Sequence, residues 1–209
     1  MKWRNLAISA LLITCSSCSS LLPPLFNPAE EKLLYILQAE KCETPEVVTG
    51  VKSPPLFVRA ARADSLVASH KIIFNRDEIS RGFYQRAAWA ATPTSQFTRI
   101  LQGALLCTGA FSTVTQGLEP SSAELSLATE IQDFRHDDTS PPGVARITVH
   151  AELVELEMRS LLASKTFVAE EPLKSENAEA AVLALSKASR RVSKEIADWA
   201  AASKTVIGH

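Results

Sequence analysis

Val144-Ala-Arg-Ile-Thr-Val-His-Ala-Glu-Leu-Val-Glu-Leu-Glu157 is the stretch that decides the fold. Ala145, Ile147, Val149, Ala151 and Leu153 alternate with Arg146, Thr148, His150 and Glu152. A period of two sends successive side chains to opposite faces of a strand, one buried and one wet. Residues 124–134 repeat the pattern: Leu125, Leu127, Thr129 and Ile131 fall on one face, Glu124, Ser126, Glu130 and Gln132 on the other. Residues 161–170 form a third strand after a tight turn at 158–160. The connector 135–143, with Pro141, Pro142 and Gly143, reads as a turn-rich loop. Three neighbouring alternating segments predict an antiparallel meander with one wet face.

Outward from the meander, the period changes. Over 176–201, Val182, Leu185, Ser189, Val192, Ile196 and Trp199 recur at helical spacing. Lys187, Arg190, Arg191, Lys194 and Asp198 fall away from that stripe and read as its solvated face. A second helix begins at Thr92-Pro93, a capping residue followed by a proline at the first helical position. Its Phe97–Ile100–Ala104 stripe faces a sheet, and Gly109 ends it. Residues 32–38, 56–60 and 70–75 read as earlier strands, 43–55 as a loop, and 63–65 as a turn. The expected fold is α+β: a mixed, largely antiparallel sheet with two main helices packed on one face.

The N-terminus reads as an export signal. Lys2 and Arg4 precede the apolar run 6–14. Nine helical residues span only about 14 Å, under half of a bilayer core of ~30 Å, so this run does not cross a membrane. Thr14-Cys-Ser-Ser-Cys-Ser19 follows. Small residues before a cysteine mark a lipid-acceptor site, and Cys18, preceded by Ser16 and Ser17, fits best; Cys15 is the alternative. The expected organisation is a lipoprotein signal over 1–17, a Pro-rich lipid-anchored tether over 18–31, and one domain over 32–203. Ser after the cysteine, by analogy with Gram-negative lipoprotein sorting, points to the outer membrane, with the domain facing the periplasm. Removing Lys2 and Arg4 leaves 20 basic and 23 acidic residues, a net charge of −3. That balance is unlike a nucleic-acid binder.

No reaction is legible in the side chains. Gly-x-Ser-x-Gly, Gly-rich phosphate loops and His-Glu-x-x-His are absent from the sequence. His136 with Asp137 and Asp138 has no second His or Cys nearby and reads as a solvated turn rather than a metal site. His150 beside Glu152 reads as a surface pair. No cofactor or metal is expected. Cys42 and Cys107 are a candidate disulfide in an oxidising periplasm, the alternative being two buried thiols.

Several segments in a fixed order then resemble a known family. They are Tyr35-x-Leu37; Phe83-Tyr84-x-x-Ala87-Ala88-Trp89-Ala90 leading to Pro93; Gly109-Ala-Phe111-Ser-Thr-Val114; Leu125-x-Leu127 with Ile131-x-Asp133-Phe134; Ser160-Leu-Leu-Ala-Ser-Lys-Thr-Phe167; and Glu195-Ile196-x-x-Trp199. Together the chain resembles the ABC-type transport auxiliary lipoprotein family, which includes the lipoprotein of the paraquat-inducible operon. The resemblance implies a non-catalytic accessory component of an intermembrane transport system for phospholipid or other hydrophobic substrates. Its implied partners are a mammalian-cell-entry-type periplasmic protein and an ABC permease and ATPase, with a homo-oligomer open by analogy. Alternatives are a periplasmic lipid-binding module or an outer-membrane assembly lipoprotein. Tyr84 and Trp89 are the candidate partner contacts, packing beneath the loop being the other reading of both.

Overall fold

The computed structural model describes residues 31–39, 53–116, 122–139 and 141–204. The expected signal, nearly all of the tether, and Cys15, Cys18 and Cys42 lie outside the described residues. Along the chain run β1 (Leu33–Tyr35), β2 (Leu56–Val58), β3 (Arg62–Ala63), β4 (Lys71–Asn75) and β5 (Gly82–Trp89). Then come α1 (Pro93–Thr108), β6 (Val114–Gln116), β7 (Leu125–Asp137), β8 (Val144–Glu155), β9 (Ser160–Pro172) and α2 (Ala178–Ser203). From Lys32 onward they belong to one compact unit.

The meander forms as expected. β8 pairs antiparallel with β7 on one side and β9 on the other, over nearly its whole length. Ala145, Ile147, Val149, Ala151 and Leu153 are all fully buried. On β7 the register slips between Ile131 and Asp133. That bulge changes the parity of inward positions, so Phe134 and His136 join Leu125, Leu127 and Ile131 in the core.

The other edge of β7 is shared. β2 pairs with its start, β3 with its middle and β4 with its end, all parallel. β5 then pairs antiparallel with β4, and β1 parallel with β5; β6 lies outside β2. The result is one mixed nine-stranded sheet. Most of its residue pairs lie in the antiparallel ladders. The fold is α+β, with both helices packed against the sheet.

α1 has the caps expected of it, whereas the cap of α2 was not singled out in the sequence. Thr92 Oγ1 accepts from the Ser95 N–H at 3.4 Å, Pro93 opens α1, and Gly109 closes it at φ 62°. Asn177 caps α2, accepting from the Ala180 N–H at 2.8 Å, with Glu179 in the first turn. α2 buries Ala181, Leu185, Ala188, Val192, Ile196 and Ala200 against α1 and the meander. Small residues on that face let the helix come close to the sheet. Trp199 packs edge-to-face on Phe167, with ring centroids 5.6 Å apart.

Four readings are corrected. Gly82–Trp89, expected only as a lead into α1, is a strand, as is the short Val114–Gln116. Arg62–Ala63 pairs with β7, so the turn expected at 63–65 begins only at Ser65. Residues 135–137, expected in a loop, complete β7, and the His136 placed in a solvated turn is 1% exposed. Lys187 and Arg191 do more than solvate α2: they hold the buried Glu171 carboxylate of β9 at 2.6 and 3.0 Å.

Candidate functional site

The sequence places apolar residues on β1 that the sheet does not cover. β1 is an edge strand, bonded to β5 on one side. Tyr35 and Leu37 turn toward the core, whereas Leu33, Leu34 and Ile36 are 61%, 67% and 62% exposed. The strand's end is pinned by buried polar groups. Gln96, 2% exposed, accepts the Leu37 N–H on Oε1 at 2.7 Å and donates from Nε2 to the Ala91 carbonyl. Ser186 Oγ of α2 accepts the Gln38 N–H at 3.2 Å. Both helices therefore fix where β1 lies.

A shallow groove of about 450 Å³ runs beside it, lined by Leu33, Tyr35, Tyr84, Arg86 and Ala178 among others. A second, of about 550 Å³, lies just past the end of β1 and includes Ile36, Leu37, Arg99 and Ile100. These grooves and the exposed strand make the candidate docking edge.

Behind the first groove stands a polar string. Tyr84 Oη lies 2.9 Å from His136 Nδ1, and the two rings are nearly parallel. His136 Nε2 is 3.8 Å from Asp138 Oδ1, too far for a hydrogen bond, and both atoms are buried with no hydrogen-bond partner. The order hydroxyl, imidazole, carboxylate is that of an activated nucleophile. The proton balance opposes it: burial, helped by the Asp138 charge, pushes the Tyr84 hydroxyl up to about 12. A nucleophile needs the opposite shift. Tyr84 keeps its proton and ties β5 to β7.

Replacing Tyr84 by Phe therefore strips the buried His136 Nδ1 of its hydrogen-bond partner. The expected cost is about 1–3 kcal/mol in chemical denaturation. Because the folded hydroxyl holds its proton more tightly than an unfolded one, its stability contribution is complete below about pH 10. It is lost as pH rises toward 12. Denaturation midpoints of wild type and Tyr84→Phe should converge over that interval.

The wet face of the meander carries a charged cluster. Arg135 bonds Asp133 and, from Nε, Asn75 Oδ1 at 2.8 Å. Arg146 bridges Asp137 at 3.5 Å and Glu170 at 3.0 Å. Burial raises the Asp133 carboxyl, only partly offset by Arg135. At Asp137 burial pushes upward as well, but bonds from Thr139 and the Arg135 and Arg146 charges prevail and lower it. His150 and Glu152 lie 3.6 Å apart on the same face. Among the described residues no three His, Cys, Asp or Glu side chains are grouped to hold a metal.

Trp89 does not belong to a docking surface. It is 1% exposed and meets Phe134 edge-on at 5.9 Å. Tyr84 retains partial exposure in the groove wall. Cys107, on α1, is disulfide-bonded, and its partner lies outside the described residues. The docking edge itself was not singled out in the sequence. The signal was present: 33–37 is apolar at every position, more than one packed face of a strand can bury.

No described helix is long and apolar enough to cross a membrane. A crystal structure from Xanthomonas campestris is similar over 82% of this chain and 96% of its own, at 21% identity and a TM-score of 0.72. A second solved structure, of an uncharacterised protein, is similar over 81% and 99%, at 16% identity and a TM-score of 0.63. These likenesses show the fold. No curated protein matches the sequence. The family model for the ABC-type transport auxiliary lipoprotein component matches residues 35–197, from β1 through most of α2. The chain belongs to the ABC-type transport auxiliary lipoprotein family.

Proposed function

We propose that this chain is a non-catalytic accessory lipoprotein of an ABC-type system that moves phospholipid or another hydrophobic substrate between membranes. Acylated Cys18, with Cys15 as the alternative, anchors it at the outer membrane. The domain docks a mammalian-cell-entry-type periplasmic component there, within reach of the permease and its ATPase. The observation that supports this most is the family match across nearly the whole described domain. Tyr84, in the wall of the groove that Leu33 and Tyr35 line and that Leu34 and Ile36 do not, is the proposed contact, so the partner's surface is separate from the outward Leu34–Ile36 side. Trp89 contributes by supporting β5 from behind.

The test is co-purification in mild detergent. The periplasmic component should accompany the full-length lipoprotein, and a lipoprotein that purifies without it overturns the docking role. Intact mass of the mature protein assigns the acylated cysteine. We propose Cys42 as the disulfide partner of Cys107, which a non-reducing peptide map decides.

A second reading, direct lipid binding, draws on another groove. It encloses about 560 Å³ between the end of β9 and the start of α2, and Leu173, Ala180, Leu183 and Ala184 supply its apolar lining. Native mass spectrometry of the purified protein would show retained lipid; a lipid-free spectrum removes this reading.

A further inference from the structure

We infer that the β1 edge seats on an anionic phospholipid surface, so that the domain lies against its own membrane instead of hanging free on the tether. The inference rests on the lipid anchor proposed above. Other large exposed apolar residues are more scattered: Ile79 stands alone in its turn, and Met158 and Leu161 lie three residues apart at the β8–β9 hairpin. Leu33, Leu34 and Ile36 are the exception, crowded into four consecutive positions.

What covers them is indicated by where the chain comes from. Twelve residues separate Cys18 from Glu31, the first described position. At 3.3–3.6 Å per residue they reach at most about 45 Å. The first strand after that link is the one with uncovered leucines. A link this short holds a surface at an effective concentration on the order of millimolar, so a weak contact is enough to seat it.

The charge around the edge also fits. Lys32 precedes Leu33, Lys71 is in register with Ala88, the partner of Leu34, and Arg86 and Arg99 line the two grooves. Arg190 donates to the Gln38 carbonyl at the strand's end. Against these stand Glu31 and Glu179. A chain that is net negative overall thus has more cations than acids beside its exposed leucines. Apolar side chains with a basic rim are what an interfacial site on anionic lipid requires. The unpaired backbone of β1 would meet headgroups and water at that depth, not hydrocarbon.

The test uses full-length acylated protein in phosphatidylethanolamine vesicles containing phosphatidylglycerol, with dibrominated acyl chains as quencher. Leu34→Trp supplies a reporter at an exposed site, and Met158→Trp a control. Met158 follows the end of β8 that pairs with Leu125, whereas β4 meets β7 at the opposite end, His136 and Asp137. The added Leu34→Trp emission should fall by at least about twofold and that of Met158→Trp should not, because only the former enters the acyl boundary. Lys32→Glu with Arg99→Glu should relieve the quenching. Vesicle flotation scores the anchor separately. Protein that floats with Leu34→Trp unquenched overturns the proposal alone; protein that does not float overturns the anchor and the proposal with it. A Leu34→Trp that shifts to the blue only when the periplasmic component is added makes the edge a protein interface and overturns lipid seating.

Discussion

Trp89→Ala should cost about 3–5 kcal/mol, the range for removing a large aromatic from a closed core. The side chain is 1% exposed, ends β5 and packs edge-on against Phe134. Its backbone is also committed: the Trp89 carbonyl accepts from His70 Nδ1 at 2.8 Å, and its N–H donates to the His70 carbonyl at 2.8 Å. Alanine keeps those backbone bonds and loses the ring, so the loss reads packing. A domain stable by roughly 5–15 kcal/mol surrenders a large share of its margin. Guanidinium denaturation measures it, and Trp89→Phe should recover about half, because the edge-on partner is partly kept. A Trp89→Ala protein of unchanged stability that no longer holds its periplasmic partner would return Trp89 to the docking surface.

Gly143→Ala is expected to cost about 2–5 kcal/mol, from left-handed strain and overpacking acting together. Gly143 immediately precedes β8 at φ 83°, a conformation that L side chains rarely adopt. A Cβ there would stand 2.4 Å from His136 Nε2 and 2.6 Å from the Asp137 carbonyl oxygen. Neither neighbour yields easily: Asp137 contributes backbone, and the imidazole is buried and bonded to Tyr84. The Leu173 N–H donates to the Gly143 carbonyl at 3.0 Å, so displacement would reach the end of β9. Thermal unfolding reads the effect. Gly143→Ala combined with His136→Ala should recover part of the loss by removing the obstructing ring. A single variant as stable as wild type would show that this turn relaxes freely.

The meander was legible because β8 keeps one partner on each side and never breaks its alternation. β7 was legible only as far as Phe134, and its alternation only as far as Ile131. Beyond it the bulge reverses the parity, so His136 and Asp137, polar and followed by Asp138, Thr139 and two prolines, look like a loop. β5 failed for a related reason. Its register with β4 is irregular, and its outward positions mix Phe83 with Gln85 and Arg86, so no clean period emerges. Both helices were legible for local reasons: α1 because Thr92-Pro93 and Gly109 act within a few residues of themselves, α2 because its apolar stripe recurs at helical spacing. The polar string was not, since Tyr84 and His136 meet across 52 residues. The candidate docking edge depends on what the sheet leaves uncovered, which one strand's sequence does not contain.

The shared edge of β7 also orders assembly in time. β7, β8, β9 and α2 are contiguous in sequence, and their contacts close short loops. β1 through β4 emerge earlier from the ribosome, yet three of them wait for β7: Leu56 must find Leu125, and Phe74 must find His136. Loop-closure entropy makes such distant pairings late. The C-terminal half should therefore serve as the template, and the N-terminal half should dock onto it. Until then the apolar 33–37 run has no sheet to join. A chain built this way remains exposed to aggregation until its last third has been made. Keeping its first strand beside a membrane would shorten the search that follows.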